Sequence, residues 1–269
     1  MVVFPNCKIN LGLNILRKRA DGFHDLETIF YPLPFCDALE IIPGESLQFI
    51  GSGIDVPGNP ADNLCLQAYH LLKKDFPHLP PVQIHLFKNI PIGAGLGGGS
   101  ADAAFTLKLL NDKFQLGIDE DALLQYAAVL GSDCAFFIRN TPCLATGRGE
   151  ILEEIDLNLG NYSFLVVHPG IHINTGKAFG KIKPGVPAQP LRELDLKAVE
   201  RWKDILVNDF EAVVFDEYPA IRAIKEKMYA EGAVFAAMSG SGSAVVGIFA
   251  KNKITGSLWE AGYRVFKKV

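Results

Sequence analysis

Cysteine is scarce and scattered in this chain. Cys7, Cys36, Cys65, Cys134 and Cys143 are odd in number, and no two stand in Cys-x-x-Cys spacing. That argues against a disulfide framework and against a zinc site, and it fits a reducing compartment. A large charge of one sign is also missing. The 26 Lys and Arg against 30 Asp and Glu leave a net charge of −4. Such a chain has no field to gather nucleic acid or an anionic membrane, so anionic substrates must be met by local groups. No apolar stretch approaches membrane-spanning length. The opening Met-Val-Val-Phe-Pro-Asn-Cys-Lys lacks a signal-peptide hydrophobic region, so a cytoplasmic protein is expected. What remains is an ordinary globular composition, 49% hydrophobic and 21% charged. At 269 residues it suits one large domain or two small ones.

Glycine, by contrast, is concentrated. Five of the seven residues from Gly93 to Gly99 are glycine, within Pro91-Ile92-Gly93-Ala94-Gly95-Leu96-Gly97-Gly98-Gly99-Ser100. Val82, Ile84 and Leu86 alternate before the run as in a strand. Ala103, Leu107, Leu110 and Phe114 recur after it at helical spacing, with Ser100 the expected N-cap and Asp102 in the first turn. Strand, glycine loop and helix start together offer unblocked N–H groups and the positive end of a helix dipole. The loop reads as an anion site, and a nucleotide phosphate is the expected anion. No Lys follows the glycines, which excludes a Walker A loop. The acids about 20 residues on, Asp119 to Asp121, open another helix instead of closing a strand, which disfavours a dinucleotide fold.

Elsewhere, Cys7 to Ile15 alternates as a half-buried strand whose other face is polar, followed by a loop over 17–22. Further strands are expected at 38–42, 47–50, 163–168, 233–238, 244–249 and 263–266. Residues 144–151 read as a hairpin, and helices are expected at 62–74, 208–218 and 219–229, with a short one before the last strand. A second half begins after about Ile155, which divides the chain into 1–155 and 156–269. Strands and helices without regular β-α-β repetition make the class α+β. The stretch 181–191, with Pro184, Pro187 and Pro190, reads as a mobile segment beside a site.

These pieces resemble the GHMP kinases, the superfamily of galacto-, homoserine, mevalonate and phosphomevalonate kinases. Residues 91–104 look like its phosphate loop, and Ser239-Gly240-Ser241-Gly242-Ser243-Ala244 like its C-terminal glycine motif. Lys8-Ile9-Asn10-Leu11, Arg19-Ala20-Asp21-Gly22-Phe23-His24, Gly131-Ser132-Asp133 and Thr146-Gly147-Arg148-Gly149 are spaced as in one branch. That branch acts on a cytidine diphosphate sugar alcohol in isoprenoid synthesis by the non-mevalonate route. The resemblance implies a two-domain fold, with an N-terminal half like the second domain of ribosomal protein S5 and a ferredoxin-like C-terminal half. It implies ATP as co-substrate with Mg²⁺, and phosphorylation of a 2-hydroxyl. Asp133 would be the general base and Lys8 its partner. Asn63 and Lys88 would approach the adenosine, with Pro91, Gly93, Gly95, Leu96, Gly97, Gly98, Gly99 and Ser100 around the phosphates. Asn10, Phe23, His24, Thr175, Phe179, Gly240 and Gly242 would meet the substrate, Phe23 and Phe179 as aromatic faces sandwiching the cytosine and His24 at its edge. No residue is named as a metal ligand. A monomer or weak dimer is expected, with no nucleic-acid or membrane partner.

Residue chemistry agrees with the catalytic pair. An alcohol attacking a γ-phosphate needs a destination for its proton. A half-buried Asp133 needs a cation, and Lys8 would supply it and steady the phosphoryl charge. Taken singly, Asp133 could equally be a helix cap, Lys8 a solvated charge and Asn63 a cap, while His24 reads better as a surface turn residue and Phe179 as a core residue. Two departures from the branch stand out: Phe23 where Tyr is commoner, and Cys134-Ala135 where Val-Pro is commoner. Two rival readings are a GHMP kinase for an alcohol without a base, and a non-catalytic nucleotide sensor on the same scaffold.

Overall fold

A computed structural model of the chain describes residues 1–187, 189–254 and 259–268. In chain order the elements begin with β1 (Val2–Val3), β2 (Asn6–Lys18), β3 (His24–Cys36), β4 (Ala38–Pro43), β5 (Gln48–Gly53), α1 (Leu64–Asp75) and β6 (Val82–Lys88). Then come α2 (Gly98–Phe114), α3 (Glu120–Leu130), α4 (Cys134–Arg139), β7 (Cys143–Thr146), β8 (Ile151–Glu154) and β9 (Tyr162–His168). The last are α5 (Thr175–Lys181), α6 (Trp202–Ile205), α7 (Phe210–Glu217), α8 (Pro219–Ala230), β10 (Phe235–Met238), β11 (Val245–Ala250) and β12 (Arg264–Lys268). Two compact units share the chain. One holds Met1–Lys8, Pro32–Ile92 and Gly97–Thr141, the other Ile9–Tyr31, Gly93–Leu96 and Pro142–Val269.

The first unit is built on a sheet of order β1-β4-β6-β5, with β5 parallel to β6 and the other pairs antiparallel. β6 follows the alternation read from its sequence: Val82, Ile84 and Leu86 are buried, each side chain contributing about 1.5–3 kcal/mol. Asn63 caps α1 through its side-chain oxygen, so that helix starts at Leu64 and not at Asp62. Asp119 caps α3 in the same way. α2 differs from expectation. Ser100 is not its N-cap, because Gly97 in the left-handed region starts the helix three residues earlier and no side chain caps it. Asp102 therefore falls beyond the first turn, where it is buried.

The second unit carries an antiparallel sheet of order β10-β11-β9-β12, with Val246 opposite Val166 and Val265 opposite Val167. α5, α7 and α8 contribute Ala178, Phe210, Val214, Ile221 and Met228 to one apolar cluster with Leu165, Val167 and Phe249. Leu13 and Ile15 of β2 join the same cluster. In the remaining sheet, of order β2-β3-β7-β8, Thr28 of β3 faces Ala145 of β7. The strand beginning at Cys7 runs on to Lys18, so the expected loop is shorter. It is also not half-buried: Lys8, Asn10 and Asn14 on its polar face are as closed off as Ile9 and Leu11. The stretch 181–191 is tied at two points, Gly185 N–H donating to the Ile15 carbonyl at 3.0 Å and Leu191 N–H to Glu27 Oε1 at 3.1 Å. The expected short helix before the last strand falls largely outside the described residues.

Candidate active site

β2 is covered on both faces from Asn6 to Asn14, and its lysine there, Lys8, belongs to the first unit; a charge so placed needs a partner. Lys8 Nζ lies 3.3 Å from Asp133 Oδ2, with side-chain exposures of 4% and 32%. Asp133 stands at the N-cap position of α4, yet its side chain makes no capping hydrogen bond. Neither the solvated reading of Lys8 nor the capping reading of Asp133 survives.

Gly97 decides how Lys8 is held. Its φ of +70° belongs to the region glycine favours, and a Cβ there would stand 3.0 Å from Phe137 Cζ and 3.1 Å from Lys8 Cγ. The backbone that opens α2 thus lies against the lysine stem. The uncapped helix start supplies N–H donors and positive dipole, and a lysine–carboxylate pair sits beside the same glycine. Such a set can hold a transferring phosphoryl group and receive a proton.

Lys88, expected near adenosine, is held elsewhere. It is buried between Asp37 Oδ2 at 2.5 Å and Asp102 Oδ2 at 2.6 Å. Asn63 Oδ1 accepts from Cys65 N–H at 2.9 Å and Leu66 N–H at 3.2 Å, so only its amide nitrogen is left to donate outward. Gly98, Gly99 and Ser100 form the first turn of α2, while Pro91 is buried just beyond β6. Sequence reasoning missed Asp37 and the pairing of Asp102. The signal was there: each is a lone charge in an apolar stretch, Phe35-Cys36-Asp37-Ala38-Leu39 and Ala101-Asp102-Ala103-Ala104.

In the second unit the two glycine motifs pack on one another. A Cβ on Gly95 (φ +79°) would stand 1.9 Å from the Ser239 carbonyl oxygen. Ser239 Oγ donates to the Gly95 carbonyl at 2.9 Å, and Asn10 N–H donates to Ser239 Oγ at 3.2 Å. Asn10 Nδ2 also donates to Thr28 Oγ1, which fixes its carboxamide. Asn208 Nδ2 reaches the carbonyls of Met238 and Gly240, both at 2.8 Å. Gly93, Leu96 and Gly242 lie in the same two turns, Leu96 buried, and Thr175 Oγ1 meets Ser241 Oγ at 2.8 Å.

Of the three aromatic residues expected at the cytosine, two are in contact: His24 stacks directly on Phe179, with ring centroids 4.8 Å apart and planes at 16°. Phe179 is also edge-on to Phe210, so its core reading is partly realised. Phe23 is exposed, and the Arg148 guanidinium lies 5.0 Å from its centroid. Adjacent residues thus form two separate platforms. Burial, and then the charge of Lys18, hold the His24 pKa below its ordinary value, which favours a neutral ring with one donor and one acceptor nitrogen. Among the described residues, no cluster of three or more His, Cys, Asp or Glu is placed to hold a metal ion.

Known proteins bear on this geometry. Residues 63–141 match the GHMP kinases N terminal domain, and residues 189–261 match GHMP kinases C terminal. The chain belongs to the GHMP kinase family. Members of the family are ATP-dependent phosphotransferases, so it is a kinase with an α+β fold. It is 52% identical to a 4-diphosphocytidyl-2-C-methyl-D-erythritol kinase of Bacteroides fragilis, over 98% of this chain and 97% of that one. A protein of the same name from Chlorobium phaeobacteroides is 41% identical over 90% of this chain and 86% of its own. Among solved structures, a 4-(cytidine 5'-diphospho)-2C-methyl-D-erythritol kinase superposes with a TM-score of 0.79 at 32% identity, covering 92% of this chain and 90% of that one. Homoserine kinase from Cytophaga hutchinsonii gives 0.69 at 14% identity, over 98% and 94% of the two chains, a likeness of fold alone.

Proposed function

We propose that the chain transfers the γ-phosphoryl group of ATP to the 2-hydroxyl of 4-diphosphocytidyl-2-C-methyl-D-erythritol, giving the 2-phosphate and ADP. Relatives at 41–53% identity bear that activity in their names. The observation that carries the reaction is the Lys8–Asp133 pair lying against Gly97 at the uncapped start of α2.

The steps follow from those groups. Phosphates of ATP take the N–H donors of the α2 start. The 2-hydroxyl attacks the γ-phosphorus in line as the bond to the β,γ-bridging oxygen breaks, and its proton passes to the Asp133 carboxylate. Lys8 steadies charge on the transferring group and holds the Asp133 carboxylate in place beside it. Mg²⁺, when bound with ATP, would supply further charge neutralisation at the phosphates. The cytidine rests on the two aromatic platforms, Phe23 with Arg148 and His24 with Phe179. We place this chemistry in the cytoplasm, in a monomer or weak dimer.

The deciding experiment measures ADP release from ATP and Mg²⁺ with the cytidyl substrate, beside homoserine, mevalonate and galactose. Release only with the cytidyl substrate is expected. Release with another alcohol overturns the substrate, and ATP binding without any release favours a sensor.

A further inference from the structure

Under the start of α2 lies a charged cluster that the phosphoryl-transfer chemistry does not use. One ammonium, Lys88 at the end of β6, faces two carboxylates, Asp37 between β3 and β4 and Asp102 on α2. All three side chains are 4% exposed or less. The two acids are not equivalent. Asp37 Oδ1 accepts from the N–H of Asn89 at 2.6 Å and of Ile90 at 2.8 Å, and its Oδ2 from Lys88, so both its oxygens are engaged as an anion. Asp102 Oδ2 has Lys88, but its Oδ1 is buried with no hydrogen-bond partner. A buried carboxylate oxygen without a donor is a place for a proton.

The cluster is close to where phosphate would bind. A Cβ on Gly98, the first residue of α2, would stand 3.0 Å from Lys88 Nζ. Asp102 is one turn further along, about 6 Å by helix rise. With every group ionised the cluster carries an excess negative charge below an anion site. With Asp102 protonated it is a neutral Lys88–Asp37 pair.

We propose that Asp102 takes up one proton from solvent when a polyphosphate settles on the first turn of α2, and returns it on release. The inference rests on the ATP reading above. Asp102 is a positioning residue in this role: neutral, it lets the helix start accept an anion, and it remains tied to Lys88. Burial, opposed by Lys88 and aided by Asp37, already pushes its pKa up to about 7, where a nearby anion shifts its occupancy. Other groups facing it do not compete near neutrality. Burial and then Cys36 and Asp102 respectively push the thiols of Cys7 and of α1's Cys65 up to about 12. The Lys88 pKa is raised by its two carboxylates against burial. Thr106 donates to the Asp102 backbone carbonyl. On α4, the Cys134 thiol is pushed up to about 12 by burial, with Ser100 and Asp133 its neighbours.

The test is calorimetry of ATP with Mg²⁺ binding to the full chain near neutral pH, in buffers of different ionisation enthalpy. Wild type should take up a fraction of a proton beyond that of Asp102→Asn, and its ATP affinity should fall by up to about tenfold per pH unit above the Asp102 pKa. Asp102→Asn should show a flatter profile. Equal proton uptake in the two proteins overturns the proposal. Should the variant not fold, infrared difference spectra of wild type decide: a protonated-carboxyl band gained on adding ATP supports it, and no such band overturns it. ATP binding without the proton step sinks this role and leaves the kinase reading intact. Proton-linked ATP binding without turnover of the cytidyl substrate does the reverse.

Discussion

Among the described residues, the first unit contains two lysine–carboxylate groups that differ in access and in the number of carboxylates. Lys8 meets a single carboxylate at 3.3 Å, and Asp133 keeps 32% of its side chain exposed. Lys88 meets two carboxylates at 2.5 and 2.6 Å, and nothing in that cluster is more than 4% exposed. A closed pair holds elements together and costs several kcal/mol to break from one side. An open pair contributes less to stability, because water screens the acid, but it leaves the acid reachable by a substrate proton. The same two residue types thus suit anchoring in one place and, in the proposed reaction, chemistry in the other. Burial, and not residue identity, separates them.

That contrast can be broken from either side. Asp133→Ala should lower turnover by about 10²–10⁴ while ATP still binds, measured by ADP release and by titration; near-normal turnover would remove Asp133 from the reaction. Lys88→Met should cost about 3–5 kcal/mol in urea unfolding, since two buried carboxylates lose their cation. Lys8→Met should cost clearly less stability and yet abolish turnover, and equal stability losses would erase the distinction. Phe179→Ala should weaken binding of the cytidyl substrate by about 1–3 kcal/mol through the lost His24 platform, read as a raised KM with the KM for ATP unchanged. The smallest effect is in pH. Because the folded-state pKa of Asp102 is raised, the folded chain keeps a proton that the unfolded chain gives up above about 4. Its contribution to stability is therefore present below that pH and lost as pH rises through about 7. Asp102→Asn should flatten that slope in urea titrations across the interval, and an unchanged slope would assign the titration to another group.

Much of this was legible along the chain. Alternation in Val82, Ile84 and Leu86, the glycine run and the caps at Asn63 and Asp119 are local signals, set by backbone geometry within a few residues. The motif resemblance likewise named Lys8 and Asp133 before their distance was known. Where reading failed, a partner distant in sequence decided. The polar face of β2 looked open because its pattern is that of a half-buried strand. Ser100 looked like a cap because nothing local shows that Gly97 turns left-handed three residues earlier. His24 and Phe179 are 155 positions apart, and only the tertiary fold brings their rings into contact, with Phe179 also edge-on to Phe210 of α7.

The sequence by itself determined most of the elements, the glycine loop between β6 and α2, and the chemical types available to the proposed phosphoryl transfer. Period, glycine content and capping act over one turn or one strand, which is the range a linear reading can see. Tertiary structure alone decided which lysine is sealed between two acids and which lies beside an open one. Desolvation and ion pairing depend on what a side chain meets across the fold, and no spacing in the chain encodes that.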